Sequence, residues 1–157
     1  MTYRIRGIDP QPYRHLFGAS EADLEQAGAV RVTAACTPGF PCRVTLTDAE
    51  QGEELILINH VSHDVDTPYR SAFAIYMRET ADKPAEFVDR LPPVFANRPL
   101  SLRAFDSDGM LANAALAMPG QAEAPIHALL ADDEIAYIDA HNAAQGCFAA
   151  RIERFAR

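Results

Sequence analysis

Hydrophobic residues in this chain mostly recur at every second position, in short runs broken by glycine, proline and aspartate, and few stretches carry the helical period. Residues 3–8 alternate and predict a first strand. Asp9-Pro10 sets a capping carboxylate ahead of a proline suited to the first helical turn, which makes 13–17 a short helix. Ser20 opens a second helix, with Asp23 three residues on as its capping partner and Gly28 as its stop. Residues 29–35 alternate again and read as a strand. Residues 37–41, with prolines on both sides of Gly39, form a loop that delivers Cys42 and Arg43.

Residues 47–52 are a turn. Leu55-Ile56-Leu57-Ile58 is apolar at consecutive positions, so the strand 54–59 is predicted to be central and covered on both faces, with His60 continuing the Ile56/Ile58 side. Residues 72–77 are its antiparallel neighbour. The connection 61–71 is long for a hairpin, and loops of that length tend to carry function. Residues 80–85 read as a loop. Residues 86–91 read as a helix with a Glu86/Arg90 pair at i, i+4, ended by Pro92-Pro93. Asp108-Gly109 between the alternating runs 100–106 and 110–117 predicts a hairpin. Residues 125–132 form a helix with Ile126, Leu129 and Leu130 on one side. Asp132 and Asp133 have the wrong sign for its end and keep it short. Strands 134–142 and 147–155 close a last hairpin around 143–146. The expected fold is α+β, a single domain over 1–157, mainly an antiparallel sheet of about eight strands with three or four short helices.

Composition adds constraints. A chain of 157 residues is long enough for a core without staples. The net charge of −8 disfavours nucleic acid and anionic membrane as partners. No signal-like start and no apolar run of membrane-spanning length occurs, and three cysteines cannot all pair, so the cytoplasm is the expected compartment. The basic residues are thirteen arginines and one lysine, Lys83. The bias of a GC-rich genome accounts for this, as does selection of guanidinium forks for carboxylate or phosphate.

Candidate chemistry concentrates in two places. In the last hairpin Asp139 and His141 share a strand face, where a carboxylate can orient an imidazole. If Asn142 pairs with Cys147, the loop has four residues and His141 shares a face with Phe148. If His141 pairs with Cys147, thiol and imidazole lie opposite, and Cys147, His141 and Asp139 become a candidate catalytic set. The second place is 41–70. Arg43 and Arg70 each follow a turn, and with Arg78 or Arg151 and the Asn142 amide they form a candidate anion site. His60, His63 and Asp64 with Cys42 or His141 contain zinc-ligand types but lack diagnostic spacing, so no metal site is expected. A Cys36–Cys42 disulfide is sterically feasible but disfavoured in a reducing compartment. His15 and His127 look incidental. No Gly-rich phosphate loop, nucleophile elbow or paired-carboxylate motif occurs, and no cofactor is expected.

Pro41-Cys42-Arg43-Val44-Thr45-Leu46, Pro68-Tyr69-Arg70, Leu100-Ser101-Leu102-Arg103-Ala104-Phe105-Asp106, Ala140-His141-Asn142-Ala143 and Gly146-Cys147-Phe148-Ala149-Ala150-Arg151 together resemble a bacterial family of domains of unknown function, DUF1203. The likeness spans 39–154, leaving 1–38 as an N-terminal part. It implies a small cytoplasmic bacterial protein and assigns no activity. By this resemblance Cys42, Arg43, Tyr69, Arg70, His141, Asn142, Gly146 and Cys147 fall on motif positions. Two departures stand out. Ser71-Ala72 replaces a Gly-Pro that often follows Pro-Tyr-Arg, and Asp139 replaces a histidine of the run before Asn142.

The reading favoured is a domain that binds a small polar or anionic molecule, with Cys42, Arg43, His60, Tyr69, Arg70, Asn142 and Arg151 as candidate ligand-binding residues. A homodimeric interaction module without catalysis is the alternative, and a thiol-dependent enzyme or redox protein is a further one.

Overall fold

The alternating runs become strands almost everywhere the pattern indicates, but they sort into two sheets. The computed structural model describes residues 1–156. Its strands are β1 (Tyr3–Arg6), β2 (Val30–Thr33), β3 (Glu54–His63), β4 (Ser71–Arg78), β5 (Glu86–Val88), β6 (Leu100–Phe105), β7 (Leu111–Ala117), β8 (Tyr137–Asn142) and β9 (Phe148–Arg154). The larger sheet has six strands in the order β5-β1-β9-β8-β6-β7, the smaller has three in the order β2-β3-β4. Every strand pair is antiparallel. The antiparallel α+β expectation holds. The single sheet of about eight strands is corrected, among the described residues, to nine strands in two sheets, with two α-helices, α1 (Glu21–Gln26) and α2 (Glu123–Leu130), and two 3-10 helices, Gln11–Leu16 and Pro93–Phe95.

One predicted helix is wrong. Residues 86–88 pair with β1, Glu86 facing Arg6 and Val88 facing Arg4. The expected Glu86/Arg90 pair does not form. Glu86 reaches across the sheet to Arg4 at 3.6 Å, and the Arg90 guanidinium lies over the Phe87 ring. A free edge of β1 offers backbone hydrogen bonds that outweigh a surface i, i+4 pair worth a few tenths of a kcal/mol. The loop assigned to 61–71 is also shorter than expected, because β3 runs on through His63 with an irregularity between Val61 and His63.

The large sheet buries one face in a core of its own, and the small sheet is covered on both faces of β3. Ile5, Leu102, Ala104, Ile138, Ala140 and Ile152 of the large sheet pack with Ile126, Leu129 and Leu130 of α2. Ile56, Ile58, Ile75 and Met77 of the small sheet pack with Leu16, Leu24, Cys42 and Val44. Leu55, on the other face of β3, joins Ala34 and Ala49. This is why the Leu-Ile-Leu-Ile run is apolar at consecutive positions. Ser20 caps α1 as expected, its Oγ accepting from the Asp23 N–H at 3.2 Å.

Residues 42–46 are stitched to both sheets. The Arg43 N–H donates to Tyr76 O of β4 at 3.0 Å, and the Ile8 N–H beyond β1 donates to Arg43 O at 2.8 Å. Gly7 permits this approach, since a Cβ there would lie 2.1 Å from Val44 O. A tight backbone crossing thus fixes Arg43 between the sheets.

Candidate functional site

The last hairpin adopts the four-residue loop. The Asn142 N–H donates to Cys147 O at 2.9 Å and the Gly146 N–H to Asn142 O at 2.7 Å, with Gly146 at φ +81°. His141 lies opposite Phe148, across a bulge between Ala140 and His141. Its Nδ1 donates to Gly146 O at 2.9 Å, since a carbonyl can only accept. Its ring meets Phe73 and Phe148 edge-on. Burial pushes the His141 imidazole below its ordinary pKa. Asp139 orients Arg151 rather than His141. Arg151 Nε donates to Oδ1 at 2.8 Å and Nη2 to Oδ2 at 3.0 Å.

Cys147 meets a cation instead of an imidazole. Arg43 is only 3% exposed. Its Nε donates to Phe148 O at 2.8 Å, its Nη1 to Pro41 O at 2.5 Å and its Nη2 to Cys147 Sγ at 3.1 Å. The Asn142 amide nitrogen approaches the same sulfur at 3.5 Å. Burial pushes the Arg43 guanidinium below its ordinary range, and no carboxylate is ion-paired with it among the described residues. Arg98 stands nearby. It holds Asp48 at 2.5 and 2.9 Å and donates to Val94 O at 3.2 Å. Burial alone would raise the Asp48 carboxyl, but Arg98 and the Gly39 N–H, with the Arg43 charge added, hold it below its ordinary value.

These groups enclose a cavity of about 170 Å³, lined chiefly by Arg43, Tyr76, Arg98, Asn142, Gln145 and Cys147. Three of the residues singled out in the sequence, Arg43, Asn142 and Cys147, meet here. Arg98 and Gln145 were not singled out. Arg98 sits in a short proline-flanked loop with no motif around it, and only the fold brings it to Arg43.

The remaining candidates lie elsewhere. Cys42 is fully buried, its sulfur accepting from the Thr45 and Arg78 N–H groups at 3.5 and 3.3 Å. Arg70 is exposed and bonds Asp64 at 3.0 Å. The Tyr69 carbonyl accepts from His63 Nδ1 at 2.9 Å, which leaves His63 Nε2 to Tyr137 Oη at 2.9 Å. Neither Tyr69 nor Arg70 lines the Arg43 cavity. His60, on β3, bonds Tyr13 Oη through Nδ1 at 2.6 Å, and burial pushes it below its ordinary pKa. It lines a second cavity, of about 240 Å³, together with Arg6, Ser62, Phe148, Arg151 and Glu153. Cys36, Cys42 and Cys147 are all free thiols. No group of three or more His, Cys, Asp or Glu side chains among the described residues comes together in a metal-holding arrangement. No helix among them is long and apolar enough to cross a membrane.

No curated protein and no solved structure matches the chain. Residues 39–154 match a family model whose description reads "Protein of unknown function (DUF1203)".

Proposed function

The chain belongs to the DUF1203 family, whose description carries no activity, and we propose from its own residues that it binds a small polar or anionic molecule in the cavity between Arg43 and the last hairpin. The observation that carries this reading is Arg43, a guanidinium buried at the cavity wall whose partners are two carbonyls and a sulfur. Burying a charge without an opposite charge is costly, and an anion entering the cavity offsets that cost. Arg98 adds a second guanidinium, the Asn142 and Gln145 amides add neutral donors, and a volume near 170 Å³ suits a molecule of a few heavy atoms.

The test is a thermal-shift screen against small carboxylates and phosphate esters. A true ligand at about a hundred times its Kd stabilises by about 2.7 kcal/mol, or about 5–10 °C for a domain of this size. The shift should disappear in Arg43→Lys, which keeps the charge and loses the fork, and persist in Arg70→Ala, whose guanidinium is elsewhere. A panel with no shift in the wild type, or with equal shifts in Arg43→Lys, overturns the reading.

A second reading, self-association into a homodimer, is favoured by β7. Among the described residues this strand pairs only with β6; it carries no charged residue, and it holds Leu116 near its end with Met118 just past it, 66% and 53% exposed. An uncharged edge of this length is a template for another strand.

A further inference from the structure

The face of the large sheet turned away from α2 carries a charge ladder. Across five adjacent strands the register places Glu86, Arg6, Arg151, Asp139 and Arg103 side by side. Arg6 and Arg151 are direct cross-strand neighbours, and like charges in that position repel. Asp139 answers Arg151 through both of its oxygens. Arg6 makes no ion pair or side-chain hydrogen bond among the described residues. Glu86, on its other side, is engaged by Arg4 at 3.6 Å, as is Glu153 at 3.2 Å.

Both guanidiniums, Arg151 paired with Asp139 and Arg6 without an ion pair among the described residues, line the cavity of about 240 Å³ described above. Its opposite wall comes from the small sheet, where β3 contributes His60 and Ser62. The Ser62 Oγ is buried and has no hydrogen-bond partner, one of three such side-chain atoms among the described residues. Its backbone carbonyl takes Arg151 Nη2 at 3.3 Å, so the same residue touches the cation and carries the orphan hydroxyl. A buried hydroxyl without a partner costs about 1–3 kcal/mol. A repelling arginine pair and an unsatisfied donor at one cavity are two independent costs that one kind of ligand removes.

We propose that this inter-sheet cavity is a second binding site, for a tetrahedral oxyanion of the phosphate type. Arg6 and Arg151 supply guanidinium donors from neighbouring strands, and Ser62 and His60 come from the facing sheet. Donors arriving from both sheets suit a tetrahedral group better than a planar carboxylate, which is satisfied by one fork. Glu153 borders the site and opposes an anion, but Arg4 holds it. Ile8 and Phe148 give the cavity an apolar side. The site shares no donor with the Arg43 cavity, so it stands or falls separately.

The experiment is calorimetric titration of the full chain with inorganic phosphate, beside glycerol phosphate to separate a free-phosphate site from one for a phosphoryl group on a larger molecule. Saturable binding of either is expected in the wild type and in Asn142→Ala, which alters only the Arg43 cavity. Loss of one charge-assisted hydrogen bond corresponds to about tenfold weaker binding or more, and that loss is expected in Arg6→Gln. Arg6 is exposed and its side chain makes no hydrogen bond among the described residues, so the variant should fold normally, with its thermal midpoint as the check. Ser62→Ala should weaken phosphate binding while leaving the ligand-free protein no less stable, since it removes an orphan hydroxyl. No binding to the wild type, or wild-type affinity in Arg6→Gln, overturns the proposal. Loss of phosphate binding in Asn142→Ala with retention in Arg6→Gln moves the anion to the Arg43 cavity and equally overturns it.

Discussion

Arg43 shows how one side chain can hold two parts of a fold in register while its charge stays unanswered. Its three donors tie the turn at Pro41 to the start of β9 at Phe148 and to Cys147. Arg43→Lys leaves at least one of those buried carbonyls without a partner, which should lower stability by about 1–3 kcal/mol in urea denaturation. An unchanged urea midpoint would mean that the carbonyls find other donors. Histidine supplies a pH prediction at the same scale. His60 and His141 are both pushed below the ordinary value of 6.5 by burial. As pH falls through about 6.5, the unfolded chain therefore takes up protons that the folded chain refuses, and stability declines until the folded values are passed. The carboxylates held low, Asp48 and Glu79, lose their contribution only in the more acidic range, so the histidines govern the first fall. Comparing urea midpoints at about pH 7.5 and about pH 5.5 should show the decline. His141→Phe, which keeps the ring contacts with Phe73 and Phe148, should make it shallower and leave the share of His60. Legibility at this scale was partial. Arg43, Asn142 and Cys147 stood out by residue type and position, whereas Arg6, Arg98 and Gln145 did not. Their roles come from cross-strand register and from loops that meet only after folding.

The elements explain why the two cavities exist. The segment 42–46 crosses under the end of β1 with Gly7 against Val44 O, and Ala85 N–H donates to Val44 O at 2.8 Å from the other side. An alanine Cβ at position 7 would meet backbone atoms, which cannot rotate away as a side chain can. Gly7→Ala should therefore cost about 1–3 kcal/mol or more, and it should disturb both sites, since Gly7 borders one cavity and fixes the Arg43 backbone of the other. A thermal midpoint equal to wild type would show that this crossing is not tight. The alternating runs and the Asp-Gly turn made most strands readable. The strand at 86–88 was not readable, because three residues are too few to display a period and the helix-compatible Glu86/Arg90 spacing was the only local signal. Nor could periodicity tell that β3 continues through His60 and His63, whose side chains look like loop residues until the facing large sheet is seen to meet them with Phe105, Tyr137, Phe148 and Arg151. That layer, with Arg151 on one side and His60 on the other, is what places ligand-type residues between two sheets.

At the scale of the whole molecule, charge and edge chemistry decide how copies meet. A net charge of −8 makes copies repel over most of their surface. The other edges are short or occupied. β5 has three residues, β2 carries Arg31 tied to Glu79 and Glu21, and β4 is bridged by Cys42. On β7 the Ala114 N–H is already taken by the Asn113 side chain at 2.8 Å, and the rest of the strand carries neither charge nor proline. A twofold pairing of β7 with its copy would extend the six-stranded sheet across the dimer and bring the exposed Leu116 and Met118 of each copy under cover. Leu116→Lys places like charges at such a junction without touching either core, so light scattering should give a dimer for the wild type and a monomer for the variant. A wild type that stays monomeric at about 100 μM, or a Leu116→Lys variant that remains dimeric, removes β7 as the interface. Neither cavity draws a residue from β7, and the ligand shifts predicted above should therefore survive in the monomeric variant. If they vanish with the dimer, association and binding are coupled through the large sheet.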